Sequence, residues 1–399
     1  MKKIFWGLSG GLGPIVRAEP IAKFFKKKGY EISFNTYGAN EEKFIVDLGY
    51  HVLSDWDHIP PPEKRYTFMP TSLFYDLNTY YARFGFMDEH FVETLIMERI
   101  KLLQEYQPNF VISDLSLQTA IAAKYLDIPH ITINQSCFHP DGLRIRWWEN
   151  KPENLPDIVY VVNKVLSKLG INQISCLEEL NRGDLDIIPS IPSFDPIHAA
   201  DNVLYTGPLV NDFLIEEELV SQSEFHPDII IYPGRLKDGA GNSGLFVLYH
   251  SLLTLTQSHY KVLVSIAKDE ELPKEISNLL TTNIKIVRWF NPSMIKDKRL
   301  FIHHGGHGSC MASLKYETPS IIIPTISERE FNARQVKKLG IGEYVVPTYL
   351  NKEVMQRVIS KVIHSTSYKI ELQKLNENID FCLDHVLTKI LDHLTGRNE

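Results

Sequence analysis

The densest chemistry in this chain is the run His303-His304-Gly305-Gly306-His307-Gly308, followed by Ser309. A glycine-rich turn that opens into a helix presents unsatisfied backbone N–H groups and the positive end of the helix dipole to whatever lies above it, which favours a phosphate. Glycines allow close approach because no Cβ intervenes. Three histidines also invite a zinc site. They sit on a glycine turn with no cysteine or carboxylate at ligand spacing, so no metal is expected there.

The elements that must hold this turn are legible on either side. Leu300 to Ile302 is a short apolar run suited to a buried parallel strand. Ser309 is a hydroxyl residue suited to cap a following helix. A second apolar run, Ile321 to Ile323, stops at Pro324. The N-terminus repeats the theme. KIFWGL (3–8) reads as a buried strand, SGGLG as a turn containing Gly11 and Gly13, Pro14 to Lys28 as a helix ended by Gly29, and EISFNT (31–36) as the next strand. This βαβ opening signals a doubly wound α/β sheet. The turn's glycine spacing does not give the GxGxxG of a dinucleotide site.

His304, Gly305, Gly306, Ser309, Pro319, Pro324, Asn332 and Ala333 fall in the order of a known pattern. The stretch resembles the donor-binding signature of the UDP-glycosyltransferase superfamily (glycosyltransferase family 1, including bacterial natural-product and lipid glycosyltransferases). The resemblance extends to the Gly loop, helix, Lys-Gly-Tyr and strand at the N-terminus, and to VISD (111–114) through HITIN (130–134). It implies the α/β GT-B fold, two facing Rossmann-like domains. It also implies inverting transfer of a sugar from a UDP- or dTDP-linked donor, with no other cofactor. Trp289 then stacks the nucleobase, an arrangement of about 1–3 kcal/mol; its alternative is a core position. His304, Gly305, Gly306, Gly308 and Ser309 cradle the diphosphate. Gly234 and Arg235 lie nearby, and Glu328, Arg329 and Asn332 follow toward the sugar.

Three positions depart from that pattern. Where the family has a catalytic histidine after its first glycine loop, this chain has Pro14, which cannot take a proton. The candidate bases are Asp114, Glu19 and His139. Asp114 matches the family's partner to the missing histidine, and its other reading is a cap on the next helix. Ala312 replaces the ribose-binding glutamate, which favours a deoxyribose donor. Glu328-Arg329 replaces an Asp-Gln sugar clamp. The arginine pairs either with an acidic sugar or, the favoured reading, with Glu328 or Glu330 at the surface.

The 399 residues suit two domains. The expected division is 1–210 for the acceptor domain, 211–227 for a linker, 228–375 for the donor domain and 376–399 for a helix returning to the first domain. From Leu372 to Leu394 the leucines and isoleucines share one helical face. A net charge of −7 argues against a nucleic-acid partner. Four dispersed cysteines, no signal-peptide pattern and no apolar run of spanning length fit a cytoplasmic protein. Aromatics throughout 66–91 suit either a hydrophobic acceptor or a core. Arg144, Arg146, Trp147 and Trp148 suit a lipid-linked glycan acceptor with peripheral membrane contact, or a half-buried loop. A non-catalytic nucleotide-sugar binder, or a hydrolase or epimerase of the same fold, is the alternative function. Oligomeric state is left open.

Overall fold

The computed structural model describes residues 2–55, 59–63, 75–146, 153–198, 201–211, 225–238, 241–267, 269–288, 291–377 and 383–396. Trp147, Trp148, Trp289, the aromatics of 66–74 and most of the expected linker lie outside them.

Two parallel sheets organise the chain. The first holds β1 (Lys3–Leu8), β2 (Glu31–Asn35), β3 (His51–Val52), β4 (Phe110–Asp114), β5 (His130–Ile133), β6 (Leu185–Ile188) and β7 (Val203–Tyr205), in the order β3-β2-β1-β4-β5-β6-β7. The second holds β8 (Ile229–Tyr232), β9 (Val262–Ile266), β10 (Ile284–Arg288), β11 (Leu300–His303), β12 (Ser320–Ile322) and β13 (Gly342–Tyr344), in the order β10-β9-β8-β11-β12-β13. The strands read as continuous apolar runs because helices cover both faces of each sheet.

The helices are α1 (Leu12–Lys27), α2 (Ala39–Asp47), α3 (Leu77–Arg83), α4 (Glu89–Tyr106), α5 (Leu117–Leu126), α6 (Val159–Lys168), α7 (Ser243–Leu255), α8 (Lys274–Ser277), α9 (His307–Lys315), α10 (Ser327–Lys338), α11 (Lys352–His364), α12 (Ser367–Glu377) and α13 (Leu383–Gly396). Two Rossmann-like domains of this kind are the GT-B architecture expected from the resemblance.

Each sheet reverses its winding once, between β1 and β4 and between β8 and β11. Ligands of open α/β sheets bind beyond the carboxyl ends of the strands at such a reversal. The register aligns those ends: Leu8 pairs with Asp114, and Tyr232 with His303. Close packing supports the first pair. A Cβ on Gly7 would lie 2.2 Å from Thr119 Oγ1, so α5 reaches the sheet only because residue 7 lacks a side chain.

The C-terminal reading needs correction. Leu372 through Leu394 do not share one helical face. Leu372, on α12, packs with Met311, Ile322 and Val336 of the second domain. Leu387, Ile390 and Leu394, on α13, enter the first domain's core beside Ile15, Ile21 and Phe25 of α1. The apolar period continues, but the chain changes domains within it. Among the described residues no helix is long and apolar enough to cross a membrane.

Leu387 is fully buried. Leu387→Ala is expected to cost about 2–5 kcal/mol, as core truncations do. Because the leucine sits in the first domain, the loss should appear in that domain's unfolding, followed by denaturant titration with domain-specific tryptophan signals such as Trp6. Equal loss in both domains, or none, would contradict the placement of α13.

Candidate functional site

The two reversals open into one cavity of about 850 Å³ between the domains. The loops after β1, β4, β8 and β11 all contribute to its wall: Gly11 and Gly13, Leu115, Gly234, and His304 with Gly306.

The floor is the N-terminus of α9. The helix begins at His307 with Gly306 as its cap, two residues before the expected start at Ser309. The sequence reading placed the hydroxyl at the cap; instead, no side chain caps this helix. Among the described residues the backbone N–H groups of His307 and Gly308 have no hydrogen-bond acceptor. They belong to the first turn, where a helix has no internal acceptors. Gly308 is exposed at the cavity wall, and a Cβ there would meet nothing within 4 Å. Ser309 also lines the cavity.

Gly305 has a supporting role. Its φ of 95° and the 2.7 Å approach of its would-be Cβ to Ile322 restrict the position to glycine. Asn332, placed at the donor by the sequence reading, is fully buried and absent from the cavity wall. Its Nδ2 donates to the Gly305 carbonyl at 2.9 Å and to Glu328 Oε1 at 2.7 Å, so it holds the turn and orients the acid.

His304 lines the cavity against Gly234, whose would-be Cβ lies 2.9 Å from the imidazole. Burial, then the nearby Arg329 and His303, push its pKa well below the usual value. His303, wholly buried beneath, is pushed down to about 3 by burial. A neutral His304 still donates one hydrogen bond, which suits a phosphate oxygen.

Cations surround the floor. Arg235 Nη1 donates to Asp269 Oδ2 at 2.7 Å. Arg329 Nη2 donates to Asp238 Oδ2 at 2.6 Å, and its Nη1 donates to Ser243 Oγ at 3.3 Å and to Thr325 Oγ1. The expected pairing of Arg329 with Glu328 or Glu330 is therefore corrected. Glu330 is taken by Arg334, four residues along the same helix, and Arg329 reaches the loop after β8 instead. Glu328 keeps a place in the cavity wall. Burial raises its pKa, opposed by Arg329, His307, the Asn332 hydrogen bond and Arg17.

The three candidate bases fare poorly. Asp114 is fully buried and lies outside the cavity wall. Arg17 Nε donates to its Oδ2 at 2.5 Å, and Arg17 Nη2 donates to its Oδ1. Both oxygens are thus held by a fixed cation, and the reading of Asp114 as a base is corrected. Glu19 is absent from the cavity wall and accepts from Asn211, which lines it, at 3.2 Å; burial raises its pKa. His139 is fully buried, with Nε2 3.0 Å from Asp186 and Nδ1 accepting from the Asp141 backbone N–H. Neither ring nitrogen is available to a substrate.

Sequence reasoning missed Arg17, His307 and Asp195. Arg17 lies three residues after Pro14 on one helix, so it shares the face from which the family's histidine would reach Asp114. Burial opposes its charge, but Asp114 outweighs this and its pKa stays raised. His307 and Asp195 meet across the domains, with Nε2 and Oδ2 3.0 Å apart. Residues 112 positions apart leave no local signal. From the first domain the cavity is lined by Leu77, Tyr80, Phe84, Leu115 and Phe138, with Arg17, Asn40, Glu41, Arg83 and Gln135 among them. Among the described residues no group of three or more His, Cys, Asp or Glu could hold a metal.

Comparisons with known proteins agree with this fold. A family model described as "Erythromycin biosynthesis protein CIII-like, C-terminal domain" matches residues 255–381. An uncharacterized glycosyltransferase of Methanosarcina mazei is 24% identical, over 94% of this chain and 93% of its own. The calicheamicin glycosyltransferase CalG4 matches with a TM-score of 0.71 at 15% identity, covering 100% of this chain and 99% of its own. The glycosyltransferase VinC, solved in complex with dTDP, matches at 0.67 and 15% identity, covering 98% of each chain. At these identities the structural likeness is one of fold.

Three substitutions, at two positions, test the floor. His304→Ala should weaken nucleoside-diphosphate binding by about 1.5–3 kcal/mol, the range for a hydrogen bond to a charged group. His304→Gln, which keeps a neutral donor, should lose less. Gly308→Val should lower affinity about tenfold, or 1.4 kcal/mol, by filling the space over the helix end. Its melting temperature should stay near wild type. Calorimetric titration together with thermal melting reads both. A Gly308→Val protein that binds normally would remove the helix end from the site.

Proposed function

We propose that this chain, which has the GT-B fold of the glycosyltransferase superfamily and resembles its bacterial natural-product members, moves a sugar from a nucleoside-diphosphate donor to an apolar small-molecule acceptor. The observation that carries the reading is the uncapped α9 terminus, with free His307 and Gly308 amides at an interdomain cavity that the first domain lines in part with Leu77, Tyr80, Phe84 and Phe138.

The chemistry follows from where charge develops. As the bond between the anomeric carbon and the phosphate oxygen breaks, negative charge builds on the departing diphosphate. Amides and a histidine donor already aimed there stabilise the transition state more than the ground state, with no reorganisation during the reaction. Protein donors thus do the neutralising that a metal does in other phosphate chemistry. Glu328 accepts hydrogen bonds from sugar hydroxyls, and Asn332 fixes its direction. Inversion at the anomeric carbon rests on the resemblance.

The nucleotide half of the proposal favours dTDP over UDP. Ala312 lines the cavity where the family's ribose-gripping carboxylate stands, so no group there rewards a 2′-hydroxyl. The dTDP complex of VinC supports the same choice. Trp289 is the proposed base platform. Tyr80, Phe84 and Phe138 favour a planar or hydrophobic acceptor, since aromatic faces give large contact area at little conformational cost. A lipid-linked acceptor at a membrane surface is the variant in which the 144–148 loop takes part.

Donor turnover decides among the activities. Purified protein with dTDP-glucose or UDP-glucose should release nucleoside diphosphate only when an acceptor such as a flavonoid or a simple phenol is present. Trp289→Ala should bind either diphosphate at least tenfold more weakly, the loss of about 1.4 kcal/mol or more of stacking. Release without acceptor would instead indicate a hydrolase or epimerase. Tight binding without any release would indicate a binding protein.

A further inference from the structure

The proposed reaction still needs a group to take the acceptor's proton, and the first glycine loop offers only Pro14. We propose that His307, held by Asp195, is that general base. The assignment rests on the transferase reading above.

Of the cavity's other groups able to take a proton, Glu41 lines it from the first turn of α2, while Asp238 and His304 are already engaged. Asp238 receives Arg329 at 2.6 Å. His304 is pressed against Gly234 and held neutral by burial and by Arg329, so it resists taking a proton. Glu328 accepts from Asn332, and burial raises its pKa against the field of Arg329, which makes it the rival that the Glu328→Gln variant tests.

His307 differs from each of these. His307 belongs to the cavity wall while remaining only 6% exposed. Its Nε2 meets Asp195 Oδ2 at 3.0 Å. Asp195 is fully buried, and its other oxygen accepts from the Ser136 backbone N–H at 2.9 Å, so the carboxylate cannot turn away. Phe194 closes the side of the imidazole with an edge contact at 6.1 Å between ring centres. With Nε2–H donating to Asp195, the tautomer leaves Nδ1 as the proton acceptor. Among the described residues Nδ1 has no hydrogen-bond partner, and it is not among the buried orphan atoms, as His304 Nδ1 and His303 Nε2 are. This is the arrangement of an activated imidazole: one nitrogen oriented by a buried carboxylate, the other open to the site.

The step balances. Nδ1 takes the acceptor's hydroxyl proton as the acceptor oxygen forms its bond to the anomeric carbon. The bond from that carbon to the phosphate oxygen breaks, and the electron pair leaves with the nucleoside diphosphate above the His307 and Gly308 amides. The resulting imidazolium is stabilised by Asp195. His307 stands on α9 of the second domain, and Asp195 belongs to the segment following β6 of the first. The base is therefore assembled only when the domains meet, which ties proton removal to a closed cleft.

The test uses acceptors of graded acidity, because an already ionised acceptor needs no base. Wild type, His307→Gln, Asp195→Asn and Glu328→Gln are assayed with dTDP-glucose and UDP-glucose against 4-nitrophenol, 4-methylumbelliferone and 2-phenylethanol, and donor affinity is measured by calorimetry. For His307→Gln, kcat with the alcohol should fall by about 10²-fold or more, the usual contribution of a general base. With 4-nitrophenol at a pH where it is ionised, the loss should shrink below about tenfold, with donor affinity unchanged. Asp195→Asn should show the same dependence on acceptor in weaker form. An equal loss with all acceptors, or a lost donor affinity, would make His307 structural and overturn the assignment. Acceptor-dependent loss in Glu328→Gln alone would transfer the role to Glu328. If wild-type protein binds dTDP or UDP but turns over no donor with any acceptor, the transferase reading falls and takes this assignment with it.

Discussion

A helix end without a cap is the constraint on which this structure turns. Several helices here, α1, α5 and α7 among them, also lack a side-chain cap; what matters at α9 is that its open end lies at the cavity beside His304. Here α9 begins on Gly306, with no side-chain cap, and its first amides face a cavity. Much nearby structure serves to keep that end open and aimed. Gly305 makes the turn, Asn332 ties its carbonyl down, and His303 is buried beneath it with Nδ1 accepting from the Gly305 N–H at 3.1 Å. Those contacts are interior, so the turn that carries the open amides is tied down on the side away from the cavity.

The second domain builds this floor, and the first domain supplies the wall and the missing charges. The Asp114 position keeps its carboxylate but changes its partner. Arg17 replaces a histidine that Pro14 does not supply, and an Arg–Asp pair of this kind is a fixed dipole and no longer a proton relay. A histidine–carboxylate pair exists elsewhere, at His307 and Asp195, where it bridges the domains.

How far this was legible in sequence depends on the range of each interaction. Short-range features read through. The β1–α1–β2 opening, the strand before His303 and the glycine turn are set by apolar runs and by residues with special backbone freedom, which local pattern exposes. Ser309 misled because a hydroxyl at a helix start usually caps it, while here the helix starts two residues earlier with Gly306 at the cap. The run from Leu372 to Leu394 misled because period alone does not say which core a helix enters. Asp114 pairing with Arg17, Arg329 with Asp238, and His307 with Asp195 were invisible for a common reason: each joins residues roughly 90 or more positions apart, and only the topology brings them together. Arg99 is the interior example. It sits on the apolar face of α4, where its fully buried guanidinium donates to Asp55 at 2.6 Å and to Asn35 at 2.6 Å. A pattern reading has no means to supply those partners.

The most direct measurement is a crystal structure of the protein grown with dTDP. The account predicts the diphosphate oxygens within hydrogen-bond distance of the His307 and Gly308 backbone N–H groups and of the His304 imidazole, with the thymine extending toward Trp289. A diphosphate bound elsewhere in the cavity, or an α9 terminus occupied by a protein group while dTDP is bound, would contradict it.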